Sequence, residues 1–188
     1  MNFSHSDLTD WGLTHVSIEK DFKILDVGCG GGRTIQKLAT TTTEGLICGV
    51  DYAKGSVAAS GAKNARLINA GRVAIQRASV SQLPFTDNTF DFVSAVETQY
   101  YWPDLLNDMR EILRVLKPGG TLAVIVESYK GGSNEILHAP VMNLLRSTRL
   151  SINEQKELFT TAGYTDVQAF EEHKKSWLCA TGKKPLLV

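Results

Sequence analysis

The sequence has few cysteines, no excess of charge of either sign and no long hydrophobic run. Three cysteines are scattered over 188 residues, an odd number that argues against a secreted disulfide framework and against a CxxC metal site. Lys and Arg together number 20, as do Asp and Glu, so no basic surface points to nucleic acid as a partner. No apolar run approaches the roughly 20 residues of a membrane-spanning helix, and residues 1–10 are polar. We therefore expect a cytoplasmic protein that acts without membrane or nucleic acid.

The length and composition are those of one domain with a core of its own. Of 188 residues, 43% are hydrophobic. A chain of this length buries roughly 70% of its unfolded surface, so neither a disulfide nor a metal is needed for stability. No linker, repeat or low-complexity tract divides the chain. The sequence thus predicts a single domain over residues 1–188.

Apolar segments of strand length alternate with segments of helical period. Strands are predicted at Ile24–Val27, Leu46–Val50, Val73–Ile75, Phe90–Val96, Leu122–Val126, Asp166–Phe170 and Ser176–Thr181. The last two flank the charged segment 171–175, which is typical of a hairpin and would make the last strand antiparallel. The alternation predicts an α/β fold with a Rossmann-like, doubly wound, seven-stranded sheet. The sheet would be mostly parallel, with an antiparallel last strand and helices on both faces.

Two helices have ends that the sequence explains. Asp104 is a good N-cap for an amphipathic helix, and the Pro-Gly-Gly segment 118–120 would end that helix before the next strand. Apolar residues form one stripe of this helix, and Asp108 is expected on the opposite, solvent-facing side. Ser151 and Glu154 have the spacing of a capping box and predict the start of a later helix.

The segment after the first predicted strand combines glycines with an acidic residue. It reads ILDVGCGGGRT over residues 24–34. Because glycine lacks a Cβ atom, Gly28, Gly30 and Gly32 can turn the chain sharply and let a ligand lie against the main chain beside a helix N-terminus. A tight connection needed only for packing would also favour glycine, so the turn alone is weak evidence.

The spacing of these glycines differs from that of a dinucleotide site. A G-x-G-x-x-G pattern starting at Gly28 requires glycine at position 33, where Arg33 stands. Asp26 precedes the first glycine by two residues, and its carboxylate would repel a pyrophosphate but suits an ammonium group. The turn therefore favours a nucleoside that carries an amino acid, and a nicotinamide-dependent oxidoreductase is the less favoured interpretation.

Four motifs occur in order along the chain: LDVGCGGG, GVDYAKGSV, LPFTDNTFD and REILRVLKPGG. They resemble those of the class I S-adenosylmethionine-dependent methyltransferases, in particular the small-molecule type with a methyltransferase type 11 domain. The resemblance covers roughly residues 22–183. It implies methyl transfer from S-adenosylmethionine to an oxygen, nitrogen or carbon atom of a small molecule by in-line displacement, with S-adenosylhomocysteine as product.

The resemblance also implies which residues border the methionine end of the cofactor. These are Asp26 and the residues of the glycine turn, Gly28, Cys29, Gly30 and Gly32.

The rest of the expected cofactor site follows the second and third strands. By the resemblance, Asp51 would accept hydrogen bonds from both ribose hydroxyls, which its carboxylate suits; its alternative role is to cap a helix that begins near Lys54. Tyr52 is expected over the adenine face or as a surface aromatic residue. Ser79 stands where members of the family often carry an aspartate for the adenine amino group, so a weaker contact is expected. Val80 is expected either beside the base or in the core.

The segment after the fourth strand carries the candidate catalytic residues, Glu97 and Tyr101. A carboxylate and aromatic faces at the carboxyl end of a central strand suit a positively charged sulfonium. Glu97 is expected to contact the cofactor and to act as a general base or to orient the acceptor, or else to form a structural salt bridge with an arginine. The chain lacks an Asn/Asp-Pro-Pro-aromatic motif, which favours a small-molecule acceptor over nucleic acid.

The remaining segments concern metals and access to the site. None of the four histidines has metal-ligand spacing, so no metal is expected. Residues 1–22 are expected to form a short lid with Trp11 over the cofactor pocket. Residues 127–150 are expected to form a helical insertion, either as a wall of the acceptor site or as a cover for the sheet edge. So small a lid predicts an open pocket or one completed in a homodimer. The alternative function is a non-catalytic S-adenosylmethionine-binding sensor or partner subunit.

Overall fold

A computed structural model of the chain describes residues 4–133 and 148–186. The strands are β1 (Ile24–Val27), β2 (Ile47–Asp51), β3 (Val73–Arg77), β4 (Phe90–Val96), β5 (Leu116–Val126), β6 (Thr165–Glu172) and β7 (Trp177–Lys183). The helices of the described residues are α1 (Ser4–Leu13), α2 (Arg33–Thr41), α3 (Lys54–Lys63), α4 (Ala65–Asn69), α5 (Leu105–Val115) and α6 (Ile152–Ala162). No helix in this part of the chain is long and apolar enough to cross a membrane. Most of the insertion expected over 127–150, including His138, lies outside the described residues.

The seven strands form one sheet in the order β3-β2-β1-β4-β5-β7-β6. Strands β1 to β5 run parallel to one another, and β7 runs antiparallel to both of its neighbours. The predicted α/β sheet with an antiparallel last strand is therefore confirmed. The strand order reverses direction at β1 and β4, and open α/β sheets bind ligands at the carboxyl ends of strands at such a switch point.

Alternate side chains of β1 pack on opposite faces of the sheet, as the period of a strand requires. Leu25 belongs to the apolar cluster that the sheet forms with α5 and α6. Ile24 belongs to another cluster, with Ile35 and Leu38 of α2. Helix α1 covers the same face as α2, where Leu8 packs with residues of β5 and β7. Both faces are therefore covered, and the carboxyl ends of β1, β2 and β4 remain as the place for a ligand.

Helix α5 begins as predicted but ends earlier than predicted. The Asp104 side chain accepts a hydrogen bond from the N–H of Asn107 at 3.2 Å, so Asp104 is the N-cap. Strand β5 starts directly after the helix, and the segment 118–120 lies inside it. Its pairing with β4 is irregular there, because β5 has more residues than β4 between the first two paired positions. The prediction that the segment 118–120 separates the helix from the strand is wrong, because the segment lies within β5, where the register with β4 shifts.

Asp108 of α5 is fully buried, so its expected position on the solvent-facing side is wrong. Its Oδ2 atom accepts a hydrogen bond from the N–H of Asp104 at 3.0 Å. The first N–H groups of a helix lack partners within the helix, and a carboxylate in the first turn can supply one. At this position the hydrogen bond to the start of the helix decides where the side chain lies, and the pattern of charged residues along the helix does not.

Helix α6 has the predicted capping box. The Ser151 hydroxyl accepts a hydrogen bond from the N–H of Glu154, and the Glu154 carboxylate accepts one from the N–H of Ser151. The helix ends at Gly163, whose φ of 103° is left-handed.

Candidate functional site

The glycine turn lies at the carboxyl end of β1. Gly28, Gly30 and Gly32 have φ angles of 73°, 49° and 76°, which residues other than glycine rarely adopt. The N–H groups of Gly28 and Cys29 both donate to the carbonyl of Val50, which ties the turn to the end of β2. The space above Gly30 is open, since a Cβ atom there would meet only the carbonyl of Gly28 at 3.9 Å. A ligand can therefore approach the main chain at Gly30.

Two of these glycines are also required by their neighbours. A Cβ atom on Gly28 would overlap the side chain of Thr98, which follows β4. A Cβ atom on Gly32 would overlap Ser60 and Asn64 of the α3 segment. The turn is thus enclosed on two sides and open above Gly30. Glycine is therefore needed in this turn for packing, and the turn is also open to a ligand.

Cys29 contributes main chain, not its thiol, to this turn. Its side chain is buried in the core cluster beneath the turn. Burial, and next the charge of Asp26, raise the pKa of Cys29 to about 12. The thiol therefore stays protonated and does not serve as a nucleophile.

Asp26 is a buried carboxyl with one unpartnered oxygen. It is 2% exposed, and its Oδ1 atom accepts a hydrogen bond from the hydroxyl of Ser94 at 2.7 Å across the β1–β4 pair. Its Oδ2 atom has no hydrogen-bond partner among the described residues. Burial raises the pKa of Asp26 to about 7, with a smaller contribution from the charge of Asp51. A cationic group next to Oδ2 would supply the missing partner and stabilise the carboxylate.

Asp51 is the last residue of β2, and its carboxylate reaches the glycine turn. Its Oδ2 atom accepts the N–H of Gly30 at 2.9 Å, and its Oδ1 atom accepts the N–H of Ala53 at 2.8 Å. Helix α3 starts at Lys54 with Ala53 as its N-cap, so Asp51 does not occupy the capping position. Each carboxylate oxygen has a further lone pair, so the group can still accept two hydroxyl donors.

Tyr52 is 72% exposed and lies beside Asp51. The guanidinium of Arg77 lies 5.2 Å from the centre of its ring, and the Nε of Arg77 donates to its carbonyl at 2.8 Å. The ring is therefore a surface aromatic with a cation on one face, and it remains accessible to a flat ligand.

Ser79 and Val80, shortly after β3, differ in accessibility. Ser79 is partly buried, and its hydroxyl oxygen accepts the N–H of Ser81 at 3.2 Å. The hydroxyl can still donate, and it keeps one lone pair for a ligand. Val80 is 8% exposed and belongs to the core cluster, so little of its surface is open to a base.

Glu97 follows β4 with a φ of 55°, an unusual conformation for a residue with a side chain. Its Oε1 atom accepts the hydroxyl of Tyr100 at 2.9 Å and the N–H of Glu127 at 2.6 Å. The carboxylate therefore contacts the end of β5. Burial, and next the charge of Glu127, raise the pKa of Glu97 to about 8. A carboxyl with such a pKa can take up or release a proton near neutral pH.

The aromatic residues after Glu97 divide into buried and exposed ones. Tyr100 and Trp102 are buried in the core, and the Tyr100 hydroxyl also accepts the N–H of Ser128 at 3.0 Å. Tyr101 is 58% exposed, and its ring meets that of Tyr100 edge to face. Of the three, Tyr101 is thus the one that a ligand at this edge of the sheet can contact.

Residues that touch the candidate site residues but were not singled out in the sequence include Thr98 against Gly28, Ser94 against Asp26, and Asn64 against Gly32. Ser94 lies in β4 and Thr98 two residues after it, and the register of β1 with β4 places Ser94 beside Asp26. Asn64 carries no such signal, because it reaches the turn from the far end of α3.

Trp11, which the sequence predicts in the lid, lies beside β7. The Trp11 ring of α1 packs against His15 and Trp177, over β5 and β7. Within residues 4–133 and 148–186, no group of three or more His, Cys, Asp or Glu side chains is placed to hold a metal ion.

Comparison with known proteins adds a family to this geometry. The family model of the methyltransferase domain matches residues 25–124, which span β1 to most of β5. The 27-O-demethylrifamycin SV methyltransferase of Amycolatopsis mediterranei is 31% identical over 117 residues, which are 62% of this chain and 43% of that enzyme. The uncharacterised methyltransferase YdaC of Bacillus subtilis is 24% identical over 187 residues, with 98% of this chain and 96% of YdaC covered.

Several of the curated relatives are longer proteins, and the chain spans less than half the length of the first five that match. Among solved structures, the methyltransferase in complex with the Haloferax volcanii Trm112 methyltransferase activator superposes with a TM-score of 0.82. It is 22% identical, and the match covers 96% of this chain and 90% of that one, so it shows the same fold. The family uses S-adenosylmethionine as its cofactor. The chain thus belongs to the methyltransferase domain family, the class I S-adenosylmethionine-dependent methyltransferases.

Proposed function

We propose that the chain transfers the methyl group of S-adenosylmethionine to an oxygen, nitrogen or carbon atom of a small molecule. The observation that carries the proposal is the meeting of Asp26, the glycine turn and Asp51 at neighbouring strand ends. There an unpartnered buried carboxyl oxygen, open main chain at Gly30 and a second carboxylate lie side by side. In an amino acid linked to a nucleoside, the ammonium group matches Asp26, the amino-acid main chain matches the open turn, and the ribose hydroxyls match Asp51.

The proposal implies a direction of the cofactor along the sheet. The ammonium group would lie at the Oδ2 atom of Asp26, and the ribose hydroxyls would donate to Asp51. The adenine would lie towards Tyr52 and Ser79, at the ends of β2 and β3. The methyl group would then point towards the end of β4, where Glu97 stands.

The residues at the end of β4 would face the acceptor. When bound, the cofactor would supply an electrophilic methyl carbon on a sulfonium for in-line attack by an electron pair of the acceptor atom, with S-adenosylhomocysteine as the leaving group. Where the acceptor atom carries a proton, Glu97 can receive it or orient the acceptor, since its pKa of about 8 leaves part of it ionised at neutral pH. The exposed ring of Tyr101 would line the same side and stabilise positive charge through its face.

A small molecule is the acceptor that these features favour. The chain has equal numbers of acidic and basic residues and hence no excess of positive charge for a polyanion. The relative from Amycolatopsis mediterranei is named for a small-molecule acceptor, which supports the same class here. Where a second copy of the chain completes the pocket, the protein would be a homodimer, and light scattering after gel filtration measures this.

Binding and turnover are tested separately. S-adenosylmethionine and S-adenosylhomocysteine should raise the melting temperature of the protein and bind measurably in calorimetry. S-adenosylmethionine with a deuterated methyl group, incubated with the protein and a small-molecule extract, should yield compounds that carry the label by mass spectrometry. Heat-treated protein is the control. Absence of binding contradicts the proposal, whereas binding without labelling of any compound favours the non-catalytic sensor or partner subunit.

A further inference from the structure

Asn64 lies at the junction of α3 and α4, behind the glycine turn. It is 1% exposed, and its side-chain amide donates from one nitrogen to two carbonyls. Nδ2 donates to the carbonyl of Gly32 at 3.0 Å and to that of Ser60 at 2.9 Å. A single buried amide therefore joins the last glycine of the turn to the last turn of α3.

The Gly32 carbonyl joins the glycine turn to the start of helix α2. Gly32 is the N-cap of α2, it has a φ of 76°, and the helix has no side-chain cap there. Its carbonyl also accepts the N–H of Gln36 at 3.3 Å, the first hydrogen bond of the helix. Because a Cβ atom on Gly32 would overlap Ser60 and Asn64, the α3 segment packs directly against the glycine. The turn is thus held from behind, while its outer side above Gly30 and Gly31 is open.

Helix α3 also connects this contact to the ribose side of the site. Asp51 leads into α3 through Tyr52 and Ala53, and Asn64 stands at the other end of the helix. The Asp51 carboxylate accepts a hydrogen bond from Gly30, and the Asn64 amide donates one to Gly32, so the segment from 51 to 64 is bonded to the turn at two points. Asp51 would also bind the cofactor itself. Asn64 lies away from the open side of the turn.

We propose that Asn64 is a positioning residue that fixes the glycine turn in the conformation required by the amino-acid end of S-adenosylmethionine. This rests on the proposed placement of the cofactor, with its methionine end at the turn and its ribose at Asp51. Asn64 does not touch the cofactor. Its loss removes one of two donors from each carbonyl, since the Gly32 carbonyl keeps the N–H of Gln36 and the Ser60 carbonyl keeps the backbone N–H of residue 64. The side-chain link between α3 and the turn is then lost, and the main chain from Gly30 to Gly32 loses the fixed geometry that a ligand backbone must match.

This role predicts an effect that depends on the ligand. S-adenosylhomocysteine contacts both the turn and Asp51, whereas 5′-methylthioadenosine has the same nucleoside and a thioether but no amino acid. Loss of the Asn64 amide should therefore weaken the first ligand and spare the second. A general loss of stability would weaken both ligands to a similar degree.

The experiment measures the dissociation constants of both ligands by calorimetry for Asn64→Leu, which keeps the volume and removes the amide, and for Asn64→Ala, which adds no bulk. We expect the dissociation constant for S-adenosylhomocysteine to rise about tenfold and that for 5′-methylthioadenosine to change less than about twofold. Asn69→Ala, at an exposed position at the end of α4, is the matched control and should change neither. Melting curves confirm that each variant is folded, and Asn64→Ala decides the result where Asn64→Leu does not fold.

Equal weakening of both ligands, or an unchanged affinity for S-adenosylhomocysteine, overturns the role of Asn64. Asp51→Ala separates this from failure of the proposed function. It should weaken both ligands, because both carry the ribose. If Asp51→Ala leaves both affinities unchanged, the cofactor placement itself is wrong. If Asp51→Ala weakens both but the Asn64 variants weaken neither, only the role of Asn64 is wrong.

Discussion

The carboxylate of Asp51 and the N–H of Gly30 are joined by a hydrogen bond of 2.9 Å between the ends of β2 and β1. The same carboxylate bonds Ala53, so it is held in place before any ligand arrives. A preordered acceptor loses little freedom when a ligand binds. The residue that the family resemblance assigns to the ribose is therefore also part of the framework of the turn.

Asp51→Ala should weaken binding of S-adenosylhomocysteine more than about tenfold, because it removes two charge-assisted hydrogen bonds to the ribose and loosens Gly30. Calorimetry measures this directly. Asp51→Asn keeps one acceptor oxygen and should have a smaller effect. Asp21→Ala, at an exposed position, serves as a control that should bind normally. An unchanged dissociation constant for Asp51→Ala would refute the assignment of Asp51 to the ribose.

Much of this framework is predictable because its signals are local. The apolar run of β1 and the glycines after it predict a strand and a turn, and Asp104 and Ser151 predict helix starts through bonds to residues three positions away. The segment 118–120 has an equally strong local signal but lies within β5. There the register between β4 and β5 shifts to accommodate the extra residues, and such a shift is a property of the two strands together.

The parts of the site that could not be predicted depend on contacts between distant segments. Asn64 meets Gly32 across 32 residues, and Ser94 meets Asp26 across 68. The Glu97 side chain accepts a hydrogen bond from the N–H of Glu127 at the end of β5, 30 residues further along the chain. Such orientations depend on the register of strands and on backbone angles such as the positive φ of Glu97, and neither can be read from one residue and its neighbours.

Affinity for the cofactor should depend on pH through Asp26. The free protein holds Asp26 protonated below about pH 7, because burial raises its pKa to about 7. An ammonium group needs the carboxylate form, so binding below that pH must release a proton. The dissociation constant should therefore fall up to about tenfold per unit as pH rises towards 7 and then level off.

Two variants of the Asp26 pair test this pH dependence by calorimetry between pH 5 and 8, a range of about three units. Asp26→Asn cannot ionise and should give weaker binding without the slope. Ser94→Ala removes the hydrogen bond that lowers the pKa of Asp26, so the slope should extend to higher pH. A slope that persists in Asp26→Asn assigns the titration to another group and contradicts this prediction.

The stability of the free protein should fall with rising pH over the range in which the affinity for the cofactor rises. An aspartate whose pKa is raised by folding binds its proton more tightly in the native state than in the unfolded state. The unfolded chain releases that proton first, so the free energy of unfolding falls as pH rises from about 4 to 7. Urea unfolding at several pH values should show this decrease, and Asp26→Asn should reduce it.

Glu97 and Tyr101 should matter more for turnover than for cofactor affinity. Glu97→Gln removes the ionisable group that leans towards β5, and Tyr101→Ala removes the exposed ring, while Asp26 and Asp51 are left intact. Once an acceptor is identified, kcat of both variants should fall, while their dissociation constants for S-adenosylhomocysteine should change little. If the carboxylate form of Glu97 is the base, kcat should rise with pH to about 8 and then level off. A larger effect on cofactor binding than on kcat would place these residues at the cofactor instead.

Two neighbouring glycines give a matched test of the turn. Gly28 has a φ of 73° and contacts Thr98, whereas Gly31 has no atom within 4 Å of an added Cβ and no left-handed φ. Gly28→Ala should therefore cost about 1–3 kcal/mol of stability through backbone strain and overlap, and should weaken cofactor binding. Gly31→Ala should leave stability unchanged or raise it by up to about 1 kcal/mol, because it restricts the unfolded chain.

Thr98 allows the two causes at Gly28 to be separated. In Gly28→Ala with Thr98→Ala the overlap with the threonine side chain is relieved, but the left-handed φ remains. Partial recovery of stability relative to Gly28→Ala alone is expected, and the remaining loss measures the backbone strain. Urea unfolding of the two single variants and the double variant gives the coupling directly. Additive losses would mean that Thr98 does not enclose the turn, and the steric explanation for glycine at position 28 would then be wrong.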